Sequence, residues 1–81
     1  MTDVNEDFFY TKDLSEAAAI LCNQVELLRL EKEQNFYWFV FRNKILCEQL
    51  SSAFWRGELQ VSSKTYADSL KSLKERIFSR R

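Results

Sequence analysis

The sequence predicts a small α+β domain in which three helices pack on one face of a three-stranded sheet. Three observations indicate this fold class. The chain has 81 residues, a length that suits one domain. Hydrophobic residues make up 46% and aromatic residues 15%, enough to build a core. Segments typical of strands and helices follow one another in the order β-α-β-β-α-α. Residues 8–81 are predicted to form this domain, and the polar, acidic residues 1–7 a flexible N-terminus.

The first strand and the first helix are predicted between residues 8 and 22. Residues 8–12 read FFYTK, an aromatic and β-prone segment. Asp13 is a favourable N-cap, and Glu16 three residues later completes a capping-box pattern. The apolar residues 17–22 then form the helix. The pattern leaves open which side chains of the strand 8–12 face the core.

A β-hairpin is predicted around the turn Gln34-Asn35, with strands at 25–33 and 36–42. A two-residue turn places Leu28 opposite Phe41 and Arg29 opposite Val40. The alternation of charged residues along the strand 25–33 indicates which face of the hairpin points into the core and which points away from it. The core face then carries Leu28, Leu30, Tyr37, Phe39 and Phe41. The opposite face carries Arg29, Glu31, Phe36, Trp38 and Val40.

Two further helices complete the predicted domain. Asn43 caps a helix over residues 44–56, and Gly57 ends it. After a short connector, Ser62 or Ser63 caps a third helix that runs nearly to residue 81. Its apolar stripe consists of Tyr66, Leu70, Leu73 and Ile77. Outside the apolar stripes of these two helices lie Trp55, Lys71, Lys74 and Phe78.

The composition disfavours most enzymatic chemistry. The chain has no His, which is the commonest general base and zinc ligand. A single Gly excludes glycine-rich phosphate loops. The two cysteines, Cys22 and Cys47, fall on predicted core faces, so we expect buried thiols rather than a metal site. We therefore predict no catalytic residues, no cofactor, no metal and no small-molecule substrate.

The distribution of charge bears on location and partners. The first residues lack the features of a signal peptide, and no apolar run approaches the roughly 20 residues that span a bilayer. We therefore expect a cytoplasmic protein that does not contact a membrane. Residues 1–41 contain three basic and eight acidic residues, whereas residues 42–81 contain nine basic and four acidic residues. This asymmetry fits either a solvated surface or a basic C-terminal face that meets an acidic partner.

Several segments resemble a known family. They are the stretch FYTKDL at residues 9–14, WFVF at 38–41, WRGELQV at 55–61 and the spacing of Tyr66, Leu70, Leu73 and the residues RIF at 76–78. Together they are similar to a family of small bacterial and phage-associated domains of unknown function, over about residues 8–78. The resemblance implies a free-standing single domain, as in a phage or mobile-element accessory protein. It implies no activity and no catalytic residue.

The aromatic residues on the second face of the sheet allow three interpretations. In the first, the third helix covers Phe36 and Trp38. In the second, the face binds another protein or a second copy of the chain, since aromatic residues and Arg are enriched at interfaces. In the third, Trp38, Phe36 and Tyr10 stack single-stranded bases. The order β-α-β-β-α matches the start of an RNA-recognition domain, although the glycine-containing third-strand signature is absent and the last strand is replaced by a helix.

The sequence thus favours a non-enzymatic binding module that acts through protein–protein contact, with a homodimer as one form of it. A single-stranded nucleic-acid-binding module with a basic C-terminal helix is the alternative. The predicted partner-binding residues are Arg29, Phe36, Trp38, Val40, Trp55, Lys71, Lys74 and Phe78.

Overall fold

The structure, a computed structural model, describes residues 7–79. It contains the six predicted elements in the predicted order: β1 (Phe8–Thr11), α1 (Leu14–Cys22), β2 (Leu27–Glu33), β3 (Phe36–Arg42), α2 (Lys44–Trp55) and α3 (Ser63–Ser79). Most of the predicted flexible segment 1–7 lies outside the described residues. The exception is Asp7, which is exposed beside β1 and whose carbonyl oxygen accepts a hydrogen bond from the Lys44 N–H at 3.2 Å.

The three strands form an antiparallel sheet in the order β1-β3-β2. β3 is central and pairs with both neighbours, so β1 and β2 are the two edges of the sheet. Helix α1 connects β1 to β2, and β3 lies between these two strands in the sheet. This is a split β-α-β arrangement. This topology confirms the predicted α+β class.

The register of the β2–β3 hairpin agrees with the sequence prediction at five positions. Glu33 lies opposite Phe36, Lys32 opposite Tyr37, Glu31 opposite Trp38, Leu30 opposite Phe39 and Arg29 opposite Val40. The prediction is wrong at Leu28, because Leu27 and not Leu28 lies opposite Phe41. The extra residue is a β-bulge, which shifts the side-chain alternation by one position. Strand β2 also begins two residues later than the predicted Val25.

Helix α1 lies centrally in the helical layer, with α2 and α3 packed on either side. Its residues Ala17, Ala18, Ala19 and Ile20 are all buried. The helical spacing predicts a single apolar face through Leu14, Ala17, Ala18, Leu21 and Cys22, so the burial of Ala19 and Ile20 goes beyond that face. The wider burial follows from having the sheet and two helices as neighbours, and the small alanine side chains allow them to approach closely. The core is completed by Leu30, Phe39, Phe41, Cys47 and Leu73.

Helix α3 lies on the helical side of the sheet. Its predicted stripe of Tyr66, Leu70, Leu73 and Ile77 packs into the core together with α1. The Tyr66 hydroxyl donates a hydrogen bond to the carbonyl oxygen of Ser15 at 3.4 Å, and Leu73 is fully buried. The face of the sheet that carries Trp38 points away from all three helices. The interpretation in which α3 covers that face is therefore wrong.

The predicted helix boundaries are confirmed by their caps. The carboxylate of Asp13 accepts a hydrogen bond from the Glu16 N–H at 2.8 Å, and the side chain of Asn43 accepts one from the Leu46 N–H at 3.2 Å. Gly57 adopts a φ of +75°, the left-handed conformation that ends α2 and that glycine tolerates best. Ser62 caps α3 through the Thr65 N–H at 3.3 Å. Among residues 7–79, none of the helices combines the length and the hydrophobicity needed to cross a bilayer.

Candidate functional site

Four aromatic side chains lie together on the sheet surface opposite the helices, and we call this surface the open aromatic face. Phe8 and Tyr10 come from β1, and Phe36 and Trp38 come from β3. Tyr10 is 44% exposed and Phe8 is 38% exposed, while Phe36 and Trp38 are half-buried. Side chains alternate between the two faces along a strand, so Phe9, Phe39 and Phe41 point into the core instead.

Trp38 is the centre of this aromatic group. Its ring lies edge-on to Tyr10 with a centroid distance of 6.4 Å, and edge-on to Phe36 with a centroid distance of 5.4 Å. The indole N–H donates a hydrogen bond to the carboxylate of Glu33 at 3.3 Å. Edge-to-face contacts are the favoured geometry for aromatic pairs. The contacts among these three rings therefore order them in the domain without a partner.

Two cationic side chains lie over the aromatic rings. The Lys12 ammonium nitrogen is 4.8 Å from the centroid of Phe36, and the guanidinium carbon of Arg29 is 5.7 Å from the centroid of Phe8. Both distances are within the range of cation–π attraction. Arg29 also forms an ion pair with Glu31 at 2.7 Å, and this hydrogen bond raises the pKa of the Arg29 guanidinium.

Val40 lies on the open aromatic face, as predicted, but it does not contact solvent. Its exposed fraction is 0%. In the register, Tyr10 and Arg29 flank Val40 on the two edge strands. The Arg29 guanidinium donates a hydrogen bond to the Tyr10 hydroxyl at 3.4 Å, and this contact passes over Val40. The prediction that Val40 contacts a partner directly is corrected, because its neighbours cover it.

The charges in and around the open aromatic face balance. Arg42 forms an ion pair with Glu26 at 3.0 Å at one end of the face. Three cationic residues, Lys12, Arg29 and Arg42, accompany three carboxylates, Glu26, Glu31 and Glu33. Among the described residues, the cations and carboxylates of this face are therefore equal in number, although the positive and negative groups are not evenly mixed.

A second polar cluster lies where α1 meets α2. The carboxylate of Glu16 is buried and accepts hydrogen bonds from the Thr11 hydroxyl at 2.6 Å, from the Ser51 hydroxyl and from the Trp55 indole N–H at 3.1 Å. The capping box predicted from Asp13 and Glu16 is thus only half formed. The Asp13 backbone N–H is bound by the Thr11 hydroxyl at 3.1 Å instead of by Glu16.

Trp55 combines this buried hydrogen bond with an exposed ring. The side chain is 61% exposed and stands edge-on to Phe54, with centroids 4.9 Å apart. It lies at the end of α2, in the helical layer, so the structure does not bring it together with Trp38.

The remaining predicted contact residues form another separate region. Lys71, Lys74 and Phe78 are exposed on α3, and Phe78 is 64% exposed. Because α3 packs on the helical side, these residues do not extend the open aromatic face. The eight predicted contact residues therefore divide among three places: the open aromatic face, the end of α2 and the outer surface of α3.

The two thiols differ in environment. Cys47 is fully buried, and its S–H donates a hydrogen bond to the Arg42 carbonyl oxygen at 3.5 Å. Burial, together with the nearby carboxylates of Glu16 and Glu48, raises the pKa of Cys47 to about 11. Cys22 is half-buried. Within residues 7–79 there is no group of three or more His, Cys, Asp or Glu side chains that could hold a metal ion.

The sequence left open whether Phe8, Tyr10 and Lys12 belong to this face, and the structure places all three on it. The segment 8–12 has aromatic residues at both parities, so alternation alone could not orient it. Thr11 gives the orientation of this strand. Its side chain is buried, and its hydroxyl accepts a hydrogen bond from the Asp13 N–H and donates one to the Glu16 carboxylate at the start of α1. A polar residue that caps the following helix must turn toward that helix, which sends Tyr10 to the opposite side.

Comparison with known proteins gives one match. A family model described as a domain of unknown function (DUF5659) matches residues 6–79. No curated protein and no solved structure matches the chain.

Proposed function

The chain belongs to the DUF5659 family of domains of unknown function, and we propose that it is a non-enzymatic binding module whose open aromatic face contacts a protein, either a different protein or a second copy of the chain. We also propose that it acts in the cytoplasm. The observation that carries the proposal is the group of Phe8, Tyr10, Phe36 and Trp38 on a sheet surface that α1, α2 and α3 leave uncovered.

The composition of this surface supports protein binding. Tyr, Trp, Phe and Arg are the residues most enriched at the centres of protein interfaces and among the residues that dominate binding energy. The open aromatic face presents all four types within one sheet. Contiguous exposed apolar surface on a small domain is a common sign of an interaction site.

The arrangement of the side chains also favours binding. Trp38 is held between Tyr10 and Phe36, and Arg29 is held by Glu31 and Tyr10. Side chains that are already ordered lose less conformational entropy when a partner binds. Truncation of Trp38 should therefore weaken binding of the partner more than it lowers the stability of the domain.

Single-stranded nucleic acid is the second candidate partner. The strand order β1-β3-β2, with Tyr10 on β1 and Trp38 on β3, resembles the layout of RNA-recognition sheets that stack bases. The charge argues for the protein partner, however. Nucleic-acid affinity depends on an excess of Lys and Arg near the phosphates, and here three carboxylates balance the three cations.

Affinity capture from cells with the wild-type protein and two variants tests the leading proposal. We expect the Trp38→Ser variant to capture no partner protein. The Phe78→Ser variant, which introduces the same small side chain at an exposed position on α3, should still capture it. Circular dichroism must show that both variants are folded. Equal capture by wild type and Trp38→Ser would overturn the assignment of the site.

A salt titration distinguishes the nucleic-acid alternative. Fluorescence anisotropy with single-stranded DNA and RNA oligonucleotides should show no binding at low salt if the leading proposal is correct. Binding that requires Trp38 and weakens steeply between low and physiological salt would favour the alternative.

A further inference from the structure

We propose that a second copy of this chain covers the open aromatic face, with a two-fold axis parallel to β3, so that Lys12 of each copy pairs with Glu33 of the other. This inference rests on the proposed function, because it names the protein that the face binds. It is argued from the placement of charge on the two margins of the sheet.

The two margins carry different charges at the same end of the sheet. Lys12 lies on the β1 side, with its ammonium nitrogen 4.8 Å from the Phe36 ring. Glu33 lies on the β2 side, opposite Phe36 in the register. Among the described residues, no carboxylate is within ion-pair distance of Lys12 and no cation is within ion-pair distance of Glu33. Each face therefore has an unpaired cation on one margin and an unpaired carboxylate on the other.

A two-fold rotation about an axis along β3 exchanges these margins. It places β1 of one copy over β2 of the other and keeps each residue at the same height along the strands. The backbone of Lys12 follows Thr11 and is level with Trp38 and Glu31, but its ammonium group reaches the Phe36 ring, which is level with Glu33. The ammonium group of Lys12 can therefore pair with Glu33 of the second copy, and the reverse pair forms at the same time. Tyr10, which lies across Val40 from Arg29, meets Arg29 of the second copy. Trp38 and Phe36, on the central strand, meet their own equivalents.

The complementarity depends on this one orientation. A two-fold axis perpendicular to the strands would instead leave β1 facing β1, so that Lys12 would face no carboxylate of the described part of β1, and would bring Glu33 toward Glu26, which Arg42 already neutralises. That arrangement leaves the charges of Lys12 and Glu33 without complementary partners. The strand-parallel axis is therefore the arrangement that the charges select.

The size of the face sets the strength of the expected dimer. A seven-residue strand spans about 23 Å and three strands span about 14 Å, so the footprint is about 330 Å² on each copy. The two copies together therefore bury about 660 Å² measured flat, and even with the roughness of the side chains this is at or below the size of the smallest specific interfaces, about 1,000–1,200 Å² in total. We therefore expect reversible association with a dissociation constant in the micromolar range, rather than a permanent dimer.

Sedimentation equilibrium from about 1 µM to about 1 mM protein tests the inference, because that range brackets dissociation constants across the micromolar range. We expect the wild type to dimerise, and Lys12→Glu and Glu33→Lys each to raise the dissociation constant about tenfold or more, since both symmetry-related pairs become repulsive. An equimolar mixture of the two variants should associate as a heterodimer close to the wild-type affinity, because each variant supplies the charge that the other needs. The double variant K12E/E33K should dimerise again on its own.

Matched charge reversals on α3 are the controls. Lys64→Glu and Glu75→Lys change the net charge by the same amounts at exposed positions away from the face, and they should leave the dissociation constant unchanged. A wild-type protein that stays monomeric throughout the range would overturn the inference. So would a dimer that is insensitive to the Lys12 and Glu33 reversals, or single variants that do not complement one another. None of these results removes the proposed function, which fails only if Trp38 is dispensable for capture of a protein.

Discussion

Trp38 and Phe39 are adjacent aromatic residues whose side chains lie on opposite faces of the sheet, and their replacement by alanine should have very different costs. Phe39 is 2% exposed and belongs to the core, whereas Trp38 is half-buried on the open aromatic face. The comparison tests the central assignment of this fold, which is that one face of the sheet is core and the other is available for binding.

The expected magnitudes follow from the contacts. Truncation of a buried Phe removes its burial and leaves a cavity, which costs about 3–5 kcal/mol. Trp38 loses two edge-to-face contacts, to Tyr10 and Phe36, each worth about 0.5–1 kcal/mol, so Trp38→Ala should cost about 1–2 kcal/mol. A domain of this size has a total free energy of unfolding of about 5 kcal/mol. Phe39→Ala should therefore leave almost no net stability, and Trp38→Ala should remain folded.

Urea denaturation followed by far-UV circular dichroism measures both effects. With a slope of about 1 kcal/mol per molar urea, Trp38→Ala should lower the midpoint by about 1–2 M. Phe39→Ala should lack a native baseline at room temperature. If Trp38→Ala destabilises the protein as much as Phe39→Ala, then Trp38 is a core residue, and the open aromatic face does not exist as described.

Four further outcomes are expected. Leu73→Ala should cost about 2–5 kcal/mol in urea denaturation, because Leu73 fixes α3 to the helical layer; a neutral effect would contradict that docking. Glu16→Ala should cost about 1–3 kcal/mol, because it leaves three donors without their buried acceptor, and a change below about 0.5 kcal/mol would contradict this. Tyr37→Phe should be neutral or stabilising, since the Tyr37 hydroxyl is buried without a hydrogen-bond partner among the described residues; a clear loss of stability would refute this. Native Cys47 should react with a thiol reagent at pH 8 more slowly than Cys22. Because its folded pKa of about 11 exceeds the value of about 8.5 in an unfolded chain, the stability that Cys47 contributes should fall as the pH rises through that interval, and Cys47→Ala should remove this dependence.

The hairpin shows how far the sequence alone could predict the site. Leu28 and Leu30 alternate with the charged residues Arg29 and Glu31, so only one face of this part of β2 can be buried, and a two-residue turn then determines the partner of each residue. The bulge at Leu28 was not predictable in the same way. Leu27 and Leu28 are both apolar, and either can fill the position opposite Phe41, so the choice depends on packing with the helices.

Residues that depend on distant neighbours were the ones that sequence patterns misassigned. The pattern around Asp13 indicated that Glu16 would cap its own helix, but Ser51 and Trp55, which are 35 and 39 residues away, bind its carboxylate. Val40 was predicted to contact a partner because its position on the strand points away from the core. Its burial depends on Tyr10 and Arg29 meeting above it, and these residues belong to two other strands.

The position of α3 could not be obtained from its stripe of apolar residues. A single face through Tyr66, Leu70 and Leu73 shows that the helix must be buried on one side, but it does not show which surface it covers. The structure places it against α1, and the open aromatic face is a direct consequence of that docking.

The β-bulge at Leu28 has a consequence for how this domain behaves at high concentration. An edge strand of seven residues with exposed aromatic neighbours is a template on which further chains can add, leading to fibres. The β-bulge twists one end of β2, and the rest of this edge strand carries the charged side chains Arg29, Glu31, Lys32 and Glu33. The domain can therefore expose aromatic side chains to a specific partner while the edge strand β2 disfavours the addition of further strands and the growth of fibres.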